Sequence, residues 1–256
     1  MNTMRATLAG LLLFFACTTA WAQPPGTPPP PAARAAEPFD LTGYWVSLVT
    51  QQWRFRMAVP QRGDYVGFPI NLKARQFADA WSRQADEGAG KQCEAYGAAA
   101  IMRVPTRLHI SWEDPDTLRV DTDAGMQTRL LRFKPAAAEQ GAPPSWQGLS
   151  TASWSMWRAP LQFGPPQPHT PRYGTLRIVT TRMLPGLLRK NGLPYSAQTT
   201  LTEDWDMDID PEGDSWLTVT TDLQDPTYLR TPAVYNSIFE KEPDGSKWDP
   251  TACTLD

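Results

Sequence analysis

From Leu108 to Lys241, apolar and polar residues change places at every second position in one short segment after another. A strand sends successive side chains to opposite faces, so this period describes half-buried β-structure and excludes a helical bundle. Leu108, Ile110 and Trp112 alternate with His109 and Ser111, and Leu118, Val120 and Thr122 alternate with Arg119 and Asp121. Glu113-Asp114-Pro115-Asp116, Asp123-Ala124-Gly125 and Pro211-Glu212-Gly213-Asp214 supply the turns between segments. Further strands are expected at Met126–Phe133, Gln147–Trp157, Thr175–Met183, Gln198–Met207, Ser215–Leu223 and Val234–Lys241. Leu41–Thr50 adds one more, and Trp53, Phe55 and Met57, alternating with Arg54 and Arg56, another. About nine or ten strands joined mostly by short connections imply a mainly β fold, an antiparallel barrel. One helical insertion interrupts it: Asn71 caps a segment whose Ala74, Phe77, Ala78 and Trp81 have the spacing of a buried stripe. A weaker helical stretch surrounds Cys93 to Ala100. Both would cap the barrel or pack on its side.

The chain before the strands reads as two further regions. Residues 1–22 have the form of a Sec-type signal peptide, with Arg5, an apolar run from Ala6 to Thr18, and Ala20-Trp21-Ala22 ahead of a cut after Ala22. The apolar run is too short to span a bilayer. A periplasmic or secreted protein is therefore expected, with no membrane span. Leu13-Phe14-Phe15-Ala16-Cys17 is a poor lipoprotein signal, because two phenylalanines stand where smaller residues are wanted. Residues 23–38 are dominated by Pro and Ala and read as a flexible tether, leaving 39–256 as one domain.

The two cysteines beyond the leader, Cys93 and Cys253, form a plausible disulfide in an oxidising compartment. Closing so long a loop is worth roughly 5 kcal/mol in the chain-entropy model. The 24 basic and 27 acidic residues give a net charge of −3, and losing Arg5 with the leader makes it −4, so there is no electrostatic reason to bind nucleic acid. Ten of the eleven tryptophans lie beyond the leader. Their size and N–H donor suit the wall of a ligand cavity.

The segment Asp40-Leu41-Thr42-Gly43-Tyr44-Trp45 resembles the opening of lipocalin-like (calycin) barrels. That resemblance implies an indole plugging one end of the barrel and an arginine from a late strand stacked on it, for which Arg230 is available. The stretch from Leu201-Thr202-Glu203 through Leu217-Thr218-Val219-Thr220 to Asp225-Pro226-Thr227-Tyr228 and Pro232 is similar to uncharacterised secreted bacterial proteins with lipocalin-like domains. It implies a barrel and no defined activity.

Catalytic signals are sparse. His109 and His169 are the only histidines, too few for a His-rich metal site, and no nucleotide or cofactor fingerprint is present. Asp206-x-Asp208-x-Asp210 begins like a calcium loop, but Pro211 stands where glycine is needed and Leu217 where a glutamate is needed. The acidic run reads as a solvated strand edge, and no metal or cofactor is expected. The leading reading is an exported binding protein for a small hydrophobic or aromatic molecule, lined by Trp53, Arg54, Arg56, Trp112, Trp154 and Met156. Arg54 and Arg56 facing solvent is the plain alternative. A second reading is a cofactor-independent isomerase, hydratase or lyase with His109, Glu203 or Tyr44 as its acid or base. A third is an envelope interaction protein. Nothing in the sequence sets the oligomeric state.

Overall fold

Nine strands that each bury one face leave no solution but a closed ring if no edge is to stay unpaired. The computed structural model describes residues 30–157 and 173–256, without the side chains of Trp157 and Tyr173. The expected leader, the first part of the tether and His169 lie outside the described residues. In chain order the strands are β1 (Gly43–Leu48), β2 (Arg107–Asp114), β3 (Thr117–Thr122), β4 (Thr128–Arg132), β5 (Leu149–Trp157), β6 (Tyr173–Thr181), β7 (Gly186–Arg189), β8 (Leu193–Tyr195), β9 (Thr200–Ile209), β10 (Ser215–Gln224) and β11 (Ala233–Glu242). The barrel runs β1-β11-β10-β9-β6-β5-β4-β3-β2 and closes, while β7 and β8 pair only with each other. Every pair in the ring is antiparallel except β4 and β5, which meet in parallel at Leu131–Ser150 and Arg132–Thr151. That short pairing is the seam of the barrel.

The inward residues form the core. Trp45, Ile110, Val120, Leu176, Trp205 and Phe239 are completely buried in one cluster, so the lumen is filled with side chains. Each such burial is worth about 1.5–3 kcal/mol. The Trp45 indole donates to Leu41 O at 2.9 Å, and Lys241 on β11 places its ammonium 5.3 Å from that ring. The cation over the indole is therefore Lys241, not Arg230. Arg230 sits in the connection before β11, where its backbone N–H donates to Pro69 O.

Two sequence expectations fail locally. Residues Trp53–Arg56 are a short helix rather than a strand, beginning after Gln52 at φ 50°. β1 already has β2 and β11 on its two sides, so no edge remains for another strand. β7 and β8 were not expected, because all their residues are buried and no alternation marks them.

At one end of the barrel, the indoles of Trp112 and Trp154 need acceptors. They find Glu37 Oε2 at 3.2 Å and Ala33 O at 2.9 Å. Residues from Pro31 onward belong to the same compact unit as the barrel, so the last residues expected in the tether pack on it. Burial there raises the Glu37 pKa.

The other end is covered by the β1–β2 connection, the β7–β8 hairpin and the tail after β11. Asn71 caps the helix Leu72–Ala80 by accepting from Ala74 N at 3.0 Å, and Ala74 and Ala78 are fully buried. Phe77 is half exposed and Trp81 ends the helix, so the inward stripe is made of the small residues. Ala78 packs in a second core with Phe68, Leu193 and Tyr195. Cys93 and Cys253 are bonded, with S–S 2.07 Å, which anchors the tail beside the 3-10 helix Gln92–Tyr96. No helix among the described residues is long and apolar enough to cross a membrane.

β9 is paired with β10 and β6 on its two sides. The acidic residues from Asp204 to Asp210 therefore form an outer face rather than a strand edge, and three of them are engaged locally. Asp204 pairs with Arg177, Asp206 accepts from Thr175, and Asp210 caps the following turn and accepts from Trp216.

Candidate functional site

The residues expected to carry chemistry do not converge. Tyr44 and His109 are cross-strand neighbours on the outer wall, stacked with ring centroids 4.4 Å apart, and Trp248 meets them edge-on. Glu203 points into the lumen with 1 % exposure, and Arg129, equally buried, reaches it from β4 at 2.5 and 3.2 Å. Thr180 and Ser150 extend this polar group, the two hydroxyls lying 2.7 Å apart. Both Glu203 oxygens are held by Arg129. The expected ligand-binding residues are dispersed as well. Trp53 and Met156 are exposed, and Arg54 pairs with Asp64 near solvent. Trp112 and Trp154 lie at the end closed by residues 31–38. Arg56 alone of the six lines the cleft described next.

That cleft, of about 450 Å³, lies at the opposite end, between the β1–β2 connection, β7 and the tail after β11. Phe55, Met57, Val104 and Leu188 give it apolar walls, and Arg56, Arg103, Arg189 and Lys190 give it cations. No tryptophan lines it among the described residues. Its acid, Asp256, has its side chain on Arg83, and Lys190 donates to an Asp256 backbone oxygen at 2.8 Å.

The arginines are positioned by rings. Arg103 lies 4.5 Å from the Tyr235 centroid and 5.3 Å from that of Phe68. Arg189 lies 4.9 Å from Phe68 and 4.4 Å from Phe55, and Arg54 takes Phe55 at 4.4 Å. Cations and rings thus alternate from Tyr235 at the mouth of the barrel out to Arg54. Stacking of this kind fixes a guanidinium by its face and leaves its N–H edge for other partners.

Those edges are only partly used. Arg56 Nε donates to Arg103 O at 2.8 Å, Arg103 Nη2 to Gln52 Oε1 at 2.7 Å, and Arg189 Nη1 to Val66 O at 2.7 Å. Arg56 Nη2 and Arg189 Nε and Nη2 are buried with no hydrogen-bond partner among the described residues. None of the three forms an ion pair there. Burial, then repulsion from Arg103, brings Arg56 and Arg189 down to about 10, and burial lowers Arg103. Asp64 offsets part of this at Arg189, while Arg54 adds to it. The result is a concentration of positive charge in a partly apolar wall.

No protein-family model, curated protein or solved structure matches this chain. The likeness to calycins is one of shape, a closed nine-stranded barrel. A barrel of this shape is compatible with a cavity for a small molecule.

Proposed function

We propose that this is an exported binding protein that holds a small amphipathic molecule in the cleft at the capped mouth of its barrel. The single observation that carries the reading is the cleft itself, whose size falls in the range of small-molecule sites and whose walls combine apolar side chains with a few convergent polar groups. The filled lumen moves the site away from the interior tryptophans and out to the mouth. The form of residues 1–22 supports export, and a disulfide suits an oxidising compartment.

Native mass spectrometry of protein purified gently from its producing cells tests this, with Ala58→Trp as the comparison. Ala58 is an exposed lining residue, so a bulky side chain there narrows the cleft without entering the core. An excess mass should vanish on denaturation and be missing from Ala58→Trp. A bare native mass, together with no rise in melting temperature across a panel of small amphiphiles, refutes the reading.

A further inference from the structure

We infer that the molecule held in the cleft is an organic oxyanion, its charged head received by Arg56, Arg103 and Arg189 and its apolar body lying against Phe55, Met57, Val104 and Leu188. The inference rests on the cleft being the binding site. It adds the ligand's charge and the three residues that read it.

The argument begins with cost. A charged group taken from water without a counter-ion is expensive, and buried charges are ordinarily paired. Arg103 and Arg189 are each only 6 % exposed, yet neither has a carboxylate partner among the described residues. Arg56 joins them through the Arg103 carbonyl, so three cations gather where one already opposes the next. Cation–ring stacking recovers part of the cost and sets the positions, but it leaves Arg56 Nη2 and Arg189 Nε and Nη2 unsatisfied.

An oxyanion supplies what is missing in both respects. Its charge offsets the mutual repulsion, and a shift of the Arg56 and Arg189 side chains toward the cleft brings N–H groups that have no other partner to its oxygens. Guanidinium suits this task because its planar fork matches carboxylate and phosphate geometry. A neutral hydroxyl could accept from one or two of these donors but brings no charge against the repulsion, and a cationic head would leave the donors unpaired and add to the repulsion. The neighbouring acids are committed elsewhere, Asp64 to Arg54 and Asp256 to Arg83, so a ligand oxyanion meets little competition. The apolar walls beside the arginines exclude a bare inorganic ion as the best occupant, because it would leave them wet.

The test is isothermal titration calorimetry of the disulfide-bonded protein with octanoate, octyl phosphate, octanol and octyltrimethylammonium, all below their micelle concentrations. These share one tail and differ in the head. We expect at least one anionic probe to bind about tenfold or more tighter than octanol, as charge-assisted hydrogen bonds require, and to weaken with added salt. Which anion binds tighter identifies the head as carboxylate or phosphate. Arg189→Met and Arg56→Met, each checked for folding by circular dichroism, should reduce the anion to the octanol level and leave octanol unchanged. Arg189→Lys should restore part of the difference.

Octanol binding as tightly as both anions, with all binding lost in Ala58→Trp, overturns this inference and leaves the cleft reading standing. Anion binding that Ala58→Trp does not weaken overturns both. No binding of either anion overturns the inference. The head-group comparison uses the unaltered protein, so a variant that fails to fold does not spare it.

Discussion

Glu203→Gln isolates the buried pair inside the barrel. The two side chains are each 1 % exposed and meet through two hydrogen bonds, so the substitution strands the Arg129 charge where water cannot reach it. Removing one partner of such a pair costs about 3–5 kcal/mol. In a domain of this size each kcal/mol lowers the melting temperature by about 2–4 °C, so a drop of roughly 6–20 °C is expected. The location adds a second readout. Arg129 lies on β4 and Glu203 on β9, so the pair reaches past β5 and β6 across the parallel seam, with Ser150 and Thr180 between. Amide exchange in Leu130–Arg132 and Leu149–Thr151 should therefore rise more than on β10. The double variant Arg129→Met with Glu203→Leu removes both charges and should be more stable than either single change, as replacement of buried pairs by apolar residues often is. Thermal unfolding by circular dichroism measures all of these. A Glu203→Gln midpoint within about 2 °C of the parent, or a double variant whose loss equals the sum of the singles, refutes the reasoning.

Three further outcomes follow from the geometry. Gly43 has φ +112°, and an added Cβ would meet Lys241 Cε at 3.3 Å, so Gly43→Ala should cost about 1–3 kcal/mol in urea unfolding. Cys93→Ser should cost about 2–5 kcal/mol and make the chain beyond Asp249 sensitive to carboxypeptidase; unchanged resistance would mean that other contacts anchor the tail. Burial pushes the phenols of Tyr235 and Tyr195 above the ordinary tyrosine range, with Glu94 adding to the effect at Tyr195. Each phenol stays protonated in the fold and ionises in the unfolded chain, so its contribution is complete below about pH 10 and declines above it. Arg56 and Arg189, lowered to about 10, act in the opposite direction at high pH, so the comparison is between the parent and Tyr235→Phe, in which the Arg189 contribution is common to both. The Phe variant should lose less stability between pH 9 and pH 11, about the ordinary tyrosine pKa.

The barrel was readable because its strands bury one face only, and that leaves a period of two in the residues. Leu217, Val219, Thr221 and Leu223 show it without a break. Trp53 to Met57 carry the same pattern and are helical, because partner edges decide whether a pattern becomes a strand, and β1 had none to offer. The hairpin β7–β8 failed in the opposite way: buried all round, it has no alternation to read. The cleft was hardest of all. Arg56 is legible as a candidate from its place beside Trp53 and Phe55, but Arg103 and Arg189 are far from it in sequence and each taken alone looks like an ordinary surface cation. Only the closing of the cap sets Phe68 between Arg103 and Arg189. Glu203 drew notice as a candidate acid or base, but its partner Arg129 lies on a strand whose sequence distance hides the pairing.

β1 is hydrogen-bonded on one side to β2 and on the other to β11, the first and last strands that follow it. A chain delivered N-terminus first holds this strand in waiting, half-paired with β2, until nearly two hundred further residues have arrived. Cys93 waits 160 residues for its partner, which arrives later still, beyond β11. Ring closure and tail anchoring are thus both late events in the history of a molecule, and the cleft, which depends on them, is finished only when its last residues are in place.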